Sequence, residues 1–224
     1  SETTDGKKVK ILANIEEAGE VPSVVESRAE GVGLFRTEGV VLRERQALAS
    51  EELQYEQYRK VIEQLSPLPV VVRTLDIGGD KELPGNLFGR EQNPFMGFRA
   101  IRYCLKNPEV FKEQLRAVLR AATFGNARIM YPMISGVREL LEANQLLDEC
   151  KRELKDRGEA YVEDLEVGSM IEIPSAAYTA DVIAENCSPF TRGASEATTM
   201  YCRLSLRERN VIGRVADGPG KSAS

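Results

Sequence analysis

The 224-residue chain has no histidine and no tryptophan. Without histidine it lacks the commonest general base and the commonest metal-ligating side chain. No apolar run reaches the roughly 18 residues that a membrane span needs. The first residues, Ser1-Glu2-Thr3-Thr4-Asp5, lack the basic and apolar regions of a secretory signal. A basic excess is also missing: net charge is -5, which argues against nucleic acid or a membrane surface as partner. The four cysteines, Cys104, Cys150, Cys187 and Cys202, are far apart and in no metal-like spacing. In a chain of this length that pattern points to reduced thiols and a cytoplasmic location. The 42% hydrophobic and 29% charged shares are those of an ordinary globular protein.

Short apolar runs alternate with amphipathic helical patterns. Strands are expected over residues 9–15, 31–35, 69–75, 128–133 and 167–173. Helices are expected between them. Residues 51–65 place Leu53, Tyr58, Val61, Ile62 and Leu65 on one face. Residues 108–124 start at a proline, align Phe111, Leu115, Val118, Leu119 and Ala122, and stop near Gly125. Residues 137–157 align Leu140, Leu141, Asn144, Leu147 and Leu154 and end at Gly158. Ser175 is the expected N-cap of a helix over 176–186. Repeated strand–helix units joined by right-handed crossovers give a parallel α/β sheet. About five βα units are present, whereas a closed barrel needs eight. Residues 188–224 break the pattern and are expected to be mostly irregular, with one weak helix near 204–209.

Polar residues cluster where the strands end, which is where parallel α/β proteins place their ligands. The run Val70-Val71-Val72 leads into Arg73-Thr74-Leu75-Asp76-Ile77-Gly78-Gly79-Asp80-Lys81. A second strand, Gly31-Val32-Gly33-Leu34-Phe35, ends in Arg36-Thr37-Glu38. Two guanidinium forks on neighbouring strand ends can bind one phosphate and balance its charge. Either arginine alone reads better as an ion pair with Glu38 or Asp76; the matched pair favours the anion site. Glu172 ends the fifth strand among apolar neighbours, a costly position unless it is paired or bound to a metal. A magnesium ligand and a salt bridge to Arg73 or Arg36 are equally good readings. Arg99 and Arg102 lie one turn apart at a helix start, and a solvated face is the stronger reading for Arg102. Gly78-Gly79 permits unusual backbone angles or close approach, but matches neither a dinucleotide fingerprint nor a P-loop. Cys104, on an apolar helix face, reads as core.

Four runs carry a resemblance to a known family. They are Gly31-Val32-Gly33-Leu34-Phe35-Arg36-Thr37-Glu38; the segment from Val72 to Pro84; Asn93-Pro94-Phe95-Met96-Gly97-Phe98-Arg99-Ala100-Ile101-Arg102; and Gly168-Ser169-Met170-Ile171-Glu172-Ile173-Pro174. Over residues 7–187 the chain resembles the phosphoenolpyruvate-binding domain of enzyme I of the bacterial sugar phosphotransferase system. The resemblance implies an α/β (β/α)8 TIM barrel, Mg2+ as cofactor, and phosphoenolpyruvate at the top of the strands. It implies that Arg36 and Arg73 hold the phosphate, that Arg99 supports the substrate site and that Glu172 ligates the metal. Asp76 and Lys81 become scaffolding or loop-positioning residues. In the family the phosphoryl group passes to a histidine on an N-terminal domain and then to a small phosphocarrier protein, and this domain forms a homodimer.

The same comparison implies a partial barrel domain over 1–187 and an atypical tail over 188–224. The family's sixth strand carries Gly-Thr-Asn-Asp-Leu; the nearest counterpart, Thr191-Arg192-Gly193-Ala194-Ser195-Glu196, has neither the asparagine nor the aspartate. The Gly-Met-Cys-Gly-Glu of the seventh strand, whose cysteine is the proton donor, is absent. Gly39-Val40-Val41 stands where the family continues with aromatic and aliphatic residues. The expectation is a phosphoenolpyruvate-binding part of a phosphotransferase, inactive alone; the alternative is a degenerate non-catalytic binding or regulatory module.

Overall fold

Short apolar runs supply the strands, and helical segments between them carry the chain back over the sheet. The computed structural model describes residues 10–41, 50–78 and 97–187, positions 4 and 6, and the two-residue strand at 200–201. The elements are β1 (Ala13–Ile15), α1 (Val21–Glu26), β2 (Val32–Arg36), α2 (Glu38–Val41), α3 (Glu51–Leu65), β3 (Val70–Arg73), α4 (Ile101–Lys106), α5 (Pro108–Ala121), β4 (Ala127–Tyr131), α6 (Val137–Arg157), β5 (Val167–Ile171), α7 (Pro174–Tyr178), α8 (Ala180–Glu185) and β6 (Met200–Tyr201). β1 to β5 are parallel and lie side by side in chain order, with β6 antiparallel to β5.

That sequential order is informative. A doubly wound sheet reverses its strand order at a switch point; this one never does. Right-handed crossovers without reversal leave all the helices on one face, as in a TIM barrel. The cores agree. Val32, Phe35, Val70, Val72, Ile129, Tyr131, Val167 and Ile171 join the helices in one large apolar cluster. Leu34, Val71, Met130 and Met170, one from each of β2 to β5, form a separate cluster on the opposite face. The described chain is therefore an α/β arc of five parallel strands with the build of a partial TIM barrel, as the sequence indicated.

Boundaries shift in detail. β3 stops at Arg73 and β5 at Ile171, each two residues before the expected end. α3 and α6 match the expected spans, and Gly158 closes α6 at φ 69°. Leu53 and Leu141 do not join the core: they are 44% and 49% exposed. The expected helix over 176–186 is two short helices, and Ser175 does not cap it. The helix begins at Pro174, whose fixed φ suits the first position, and the Ser175 hydroxyl donates instead to the Ser135 carbonyl at 2.7 Å. The break falls at Thr179, whose hydroxyl donates back to the Ser175 carbonyl at 3.0 Å. The expected helix at 204–209 and the irregular reading of the tail lie outside the described residues, apart from β6. No helix among the described residues is long and apolar enough to cross a membrane.

A lattice of ion pairs ties the outer helices together. Glu51, in the first turn of α3, accepts from Arg116 at 2.6 Å, Arg120 at 2.9 Å and Arg157 at 3.2 Å. Arg116 also reaches Glu153 at 2.7 Å, and Lys112 bridges Glu149 and Glu153. One carboxylate thus joins α3, α5 and α6. Burial alone would push the Glu51 carboxyl up, but the hydrogen bonds from the three arginines outweigh it and hold the pKa below 4.5. A depressed folded-state pKa gives stability that is complete above the unfolded value and lost as pH falls through the folded one. Glu51→Ala is expected to cost about 1–3 kcal/mol at neutral pH, because it takes one of two carboxylate partners from the buried Arg116 and one from Arg120 and Arg157. The penalty should shrink as both proteins are taken below about pH 4.5 in urea titrations; a penalty unchanged from pH 7 to pH 3 would contradict this.

Candidate functional site

Arg36 and Arg73 are the last residues of β2 and β3, and the strand register pairs them directly. Neighbouring parallel strands lie about 4.8 Å apart. Phe35 and Val72 pack under the helices, so the next side chains, Arg36 and Arg73, point to the other face. Glu172 lies one residue beyond β5 at the same end of the sheet.

Arg73 is buried and doubly paired. Its Nη2 lies 2.5 Å from Glu38 Oε1, and its Nη1 lies 3.3 Å from Asp76 Oδ2. Asp76 also accepts from Arg99, at 2.7 Å through Nη2 and 3.2 Å through Nε. The result is an alternating chain, Glu38–Arg73–Asp76–Arg99, with every side chain nearly out of water. Arg36 is half exposed and pairs with Glu16 at 2.7 Å, so its partner is neither Glu38 nor Asp76. The Nε atoms of both Arg36 and Arg73 are buried and have no hydrogen-bond acceptor among the described residues. A buried guanidinium N–H without an acceptor is costly, and an incoming anion would satisfy both.

Glu172 takes neither of the expected salt bridges. Its Oε1 accepts the Met133 backbone N–H at 2.6 Å. Desolvation raises its pKa, Asp76 adds to the rise, and the Met133 N–H, Arg73 and Arg99 oppose it. Arg102 is not on a solvated face. Its Nε donates to the Gly97 carbonyl at 2.7 Å and its Nη1 to the Met133 carbonyl at 3.3 Å, because helix α4 starts against the loop after β4. The Met133 peptide is thus held on both sides, at φ 58°. Ala100, next to Arg99, also has a positive φ of 48°. These two of the three non-glycine residues with positive φ adjoin proposed site residues, a common place for such strain; the third, Arg28, does not.

Three guanidiniums, Arg36, Arg73 and Arg99, face four carboxylates, Glu16, Glu38, Asp76 and Glu172. These arginines are therefore already neutralised in aggregate among the described residues. Among the described residues no group of three or more acids, cysteines or histidines is arranged to hold a metal ion. Lys81, Gly79 and the segment 191–196 lie outside the described residues. Cys104 and Cys150 are buried; desolvation pushes the Cys104 thiol far up and the Cys150 thiol to about 12, so neither is a ready nucleophile. Sequence reasoning passed over Glu16, although it follows a predicted strand and the strand-end rule covers it. It also passed over Met133, whose part is played by its backbone and leaves no mark in the sequence.

The chain matches the family described as "PEP-utilising enzyme, PEP-binding domain" over residues 1–218. It is 46% identical to the phosphoenolpyruvate-protein phosphotransferase of Staphylococcus carnosus over 196 residues, 88% of this chain and 34% of that protein. It is 47% identical to the Bacillus subtilis protein of the same name over 192 residues, and 44% to that of Staphylococcus aureus over 194. These overlaps are 86% and 87% of this chain and 34% of each relative. The chain spans about a third of the length of the curated relatives it matches.

Gly78 places Arg99 by close approach. It has φ +118°, and a Cβ there would lie 2.6 Å from Arg99 Cβ and 2.8 Å from the Phe98 carbonyl oxygen. Gly78→Ala should therefore lower stability by about 2 kcal/mol or more and disturb the Asp76–Arg99 pair. Denaturant unfolding checks it; an unchanged midpoint would mean that the contact is not tight.

Proposed function

The chain belongs to the PEP-utilising enzyme family, through its PEP-binding domain, and from that premise we propose that its strand ends bind phosphoenolpyruvate. The observation that carries this is the pair of register-matched arginines whose buried Nε–H groups lack acceptors among the described residues. A phosphate provides acceptor oxygens in the geometry that guanidinium forks match. Arg36 and Arg73 would grip the phosphate, and Arg99 would act through Asp76 to hold Arg73 in place.

Magnesium belongs to the same proposal. Mg2+ takes oxygen ligands and is often held by one or two carboxylates plus substrate oxygens. Glu172 suits that role: it makes no ion pair among the described residues, and its one partner is a backbone N–H. The excess of these carboxylates over guanidiniums among the described residues also favours a cation when an anion enters. When bound, the ion would neutralise phosphate charge and polarise its oxygens. The chain's own part is to orient the phosphate and to present fixed positive charge in a partly dry site.

The name shared by the relatives describes transfer of a phosphoryl group from phosphoenolpyruvate to a protein. We extend that reaction to the protein in which this site works. This chain has no histidine, so a phosphohistidine acceptor has to come from another domain or chain, with a small phosphocarrier protein as the next partner.

Calorimetric titration tests the reading. Phosphoenolpyruvate with Mg2+ should release or absorb heat on binding at sub-millimolar to millimolar concentration. Arg36→Ala, at a half-exposed position with little structural load, should weaken binding roughly 10- to 100-fold. Glu172→Gln should remove the Mg2+ dependence. Its raised pKa means that protons compete with the metal above the ordinary value of 4.5. The advantage given by Mg2+ should therefore fade as pH is lowered toward that value in the parent protein and be absent in Glu172→Gln at every pH. No heat up to millimolar ligand, or wild-type affinity in Arg36→Ala, would overturn the assignment.

A further inference from the structure

We propose that Gln114 is a positioning residue that sets the spacing of the two phosphate-binding arginines; this rests on the phosphoenolpyruvate reading above. Gln114 is on α5, in the layer outside the sheet, and is 2% exposed. A buried glutamine on an outer helix costs free energy unless its amide is fully paired. Here it is. Its Oε1 accepts the Leu75 backbone N–H at 2.8 Å. Its Nε2 donates to the Thr37 hydroxyl at 3.0 Å and to the Tyr58 hydroxyl at 3.0 Å.

Each hydroxyl passes the bond on. Thr37 donates to the Arg73 carbonyl at 2.9 Å, and Tyr58 to the Gln54 side-chain oxygen at 3.0 Å. These directions leave the amide one orientation. Both hydroxyl protons are committed, so both oxygens must accept from the NH2, and the amide oxygen must face the Leu75 N–H. Burial raises the Tyr58 pKa far above its ordinary value, so the phenol stays neutral and keeps its proton.

The placement explains why this matters. Thr37 separates Arg36 from Glu38, and Leu75 separates Thr74 from Asp76. The two strands stop pairing at Arg36 and Arg73. Beyond that point, among the described residues, the two chain segments are connected through Thr37–Arg73, Gln114 and the Glu38–Arg73 pair. Gln114 thus ties together the two segments that carry Arg36, Glu38, Arg73 and Asp76. The amide touches no ligand position itself; it acts through Thr37 and Leu75. Tyr58 carries the bonds on into α3 through Gln54, and its hydroxyl also lies beside that of Thr37.

This separates positioning from mere stability. Gln114→Leu and Thr37→Val should each weaken phosphoenolpyruvate binding roughly tenfold, the effect of one lost buried hydrogen bond. The double variant should be little worse than either single change, because both cut one chain of bonds. Tyr58→Phe should lower the melting temperature yet leave affinity within about threefold, since the bonds from Gln114 to Thr37 and Leu75 and from Thr37 to the Arg73 carbonyl remain. A Gln114→Leu protein that melts earlier but binds with parental affinity would overturn the inference. If Gln114→Leu does not fold, Thr37→Val against Tyr58→Phe decides the question.

A second readout needs no ligand. In 15N-labelled full-length chain, the arginine Nε–H signals of Arg36 and Arg73 should move in Gln114→Leu and Thr37→Val but not in Tyr58→Phe. Unmoved signals in the first two would also overturn it. If the parent chain fails to bind phosphoenolpyruvate, the functional reading falls, and these spectra still decide whether Gln114 places the two arginines.

Discussion

Asp76 is the charge on which the rest of the strand-end architecture depends. It neutralises two buried guanidiniums, Arg73 and Arg99, that come from segments 26 residues apart. Removing one partner from such a group leaves an uncompensated charge at a cost of about 3–5 kcal/mol, far more than the pairs add over an apolar substitute. A buried arginine aimed at a ligand position is tenable only while a carboxylate stands behind it. Glu38 does the same on the other side of Arg73. The acids at this sheet edge therefore serve to keep cations where water is scarce.

Backbone geometry serves the same end. Gly78 lets the chain pass within contact of Arg99, and Ala100 takes a positive φ as the turn hands over to α4. Met133 takes one too, with its N–H on Glu172 and its carbonyl held by Arg102. Strain of this kind, of order 1–3 kcal/mol per residue, persists only where the surroundings over-determine the conformation. The outer lattice centred on Glu51 helps supply that rigidity by fixing α5 against α3 and α6. α5 in turn carries Gln114 to the strand ends. Charge pairing on the outside of the arc and hydrogen bonding at its rim are joined through one helix.

Much of this was legible in the residues. The short apolar runs and the 3.6-residue apolar spacing located β1 to β5, α3, α5 and α6. The strand-end rule singles out Arg36, Arg73 and Glu172 from sequence, and the four quoted runs carry the family that the comparisons show. Other features were illegible for physical reasons. Arg102 looked like a surface residue because a sequence does not say that a distant loop, at Met133, covers that part of α4. Leu53 and Leu141 have core-like spacing but sit on helix flanks that no other described element covers. Ser175 has an N-cap's chemistry, yet its hydroxyl had a better acceptor 40 residues away.

The amino-acid sequence by itself determined the alternation of strands and helices, the parallel α/β class, the family, and which charged residue types cluster at strand ends. These follow from short-range periodicity and from local residue order. Only the tertiary structure decided partners. It set Arg73 between Glu38 and Asp76, gave Arg36 to Glu16, turned Glu172 toward a backbone N–H, and brought Gln114 across 77 residues to Thr37. Which carboxylate neutralises which arginine depends on distance in space, and in a parallel sheet each strand-end neighbour is separated in sequence by a whole crossover.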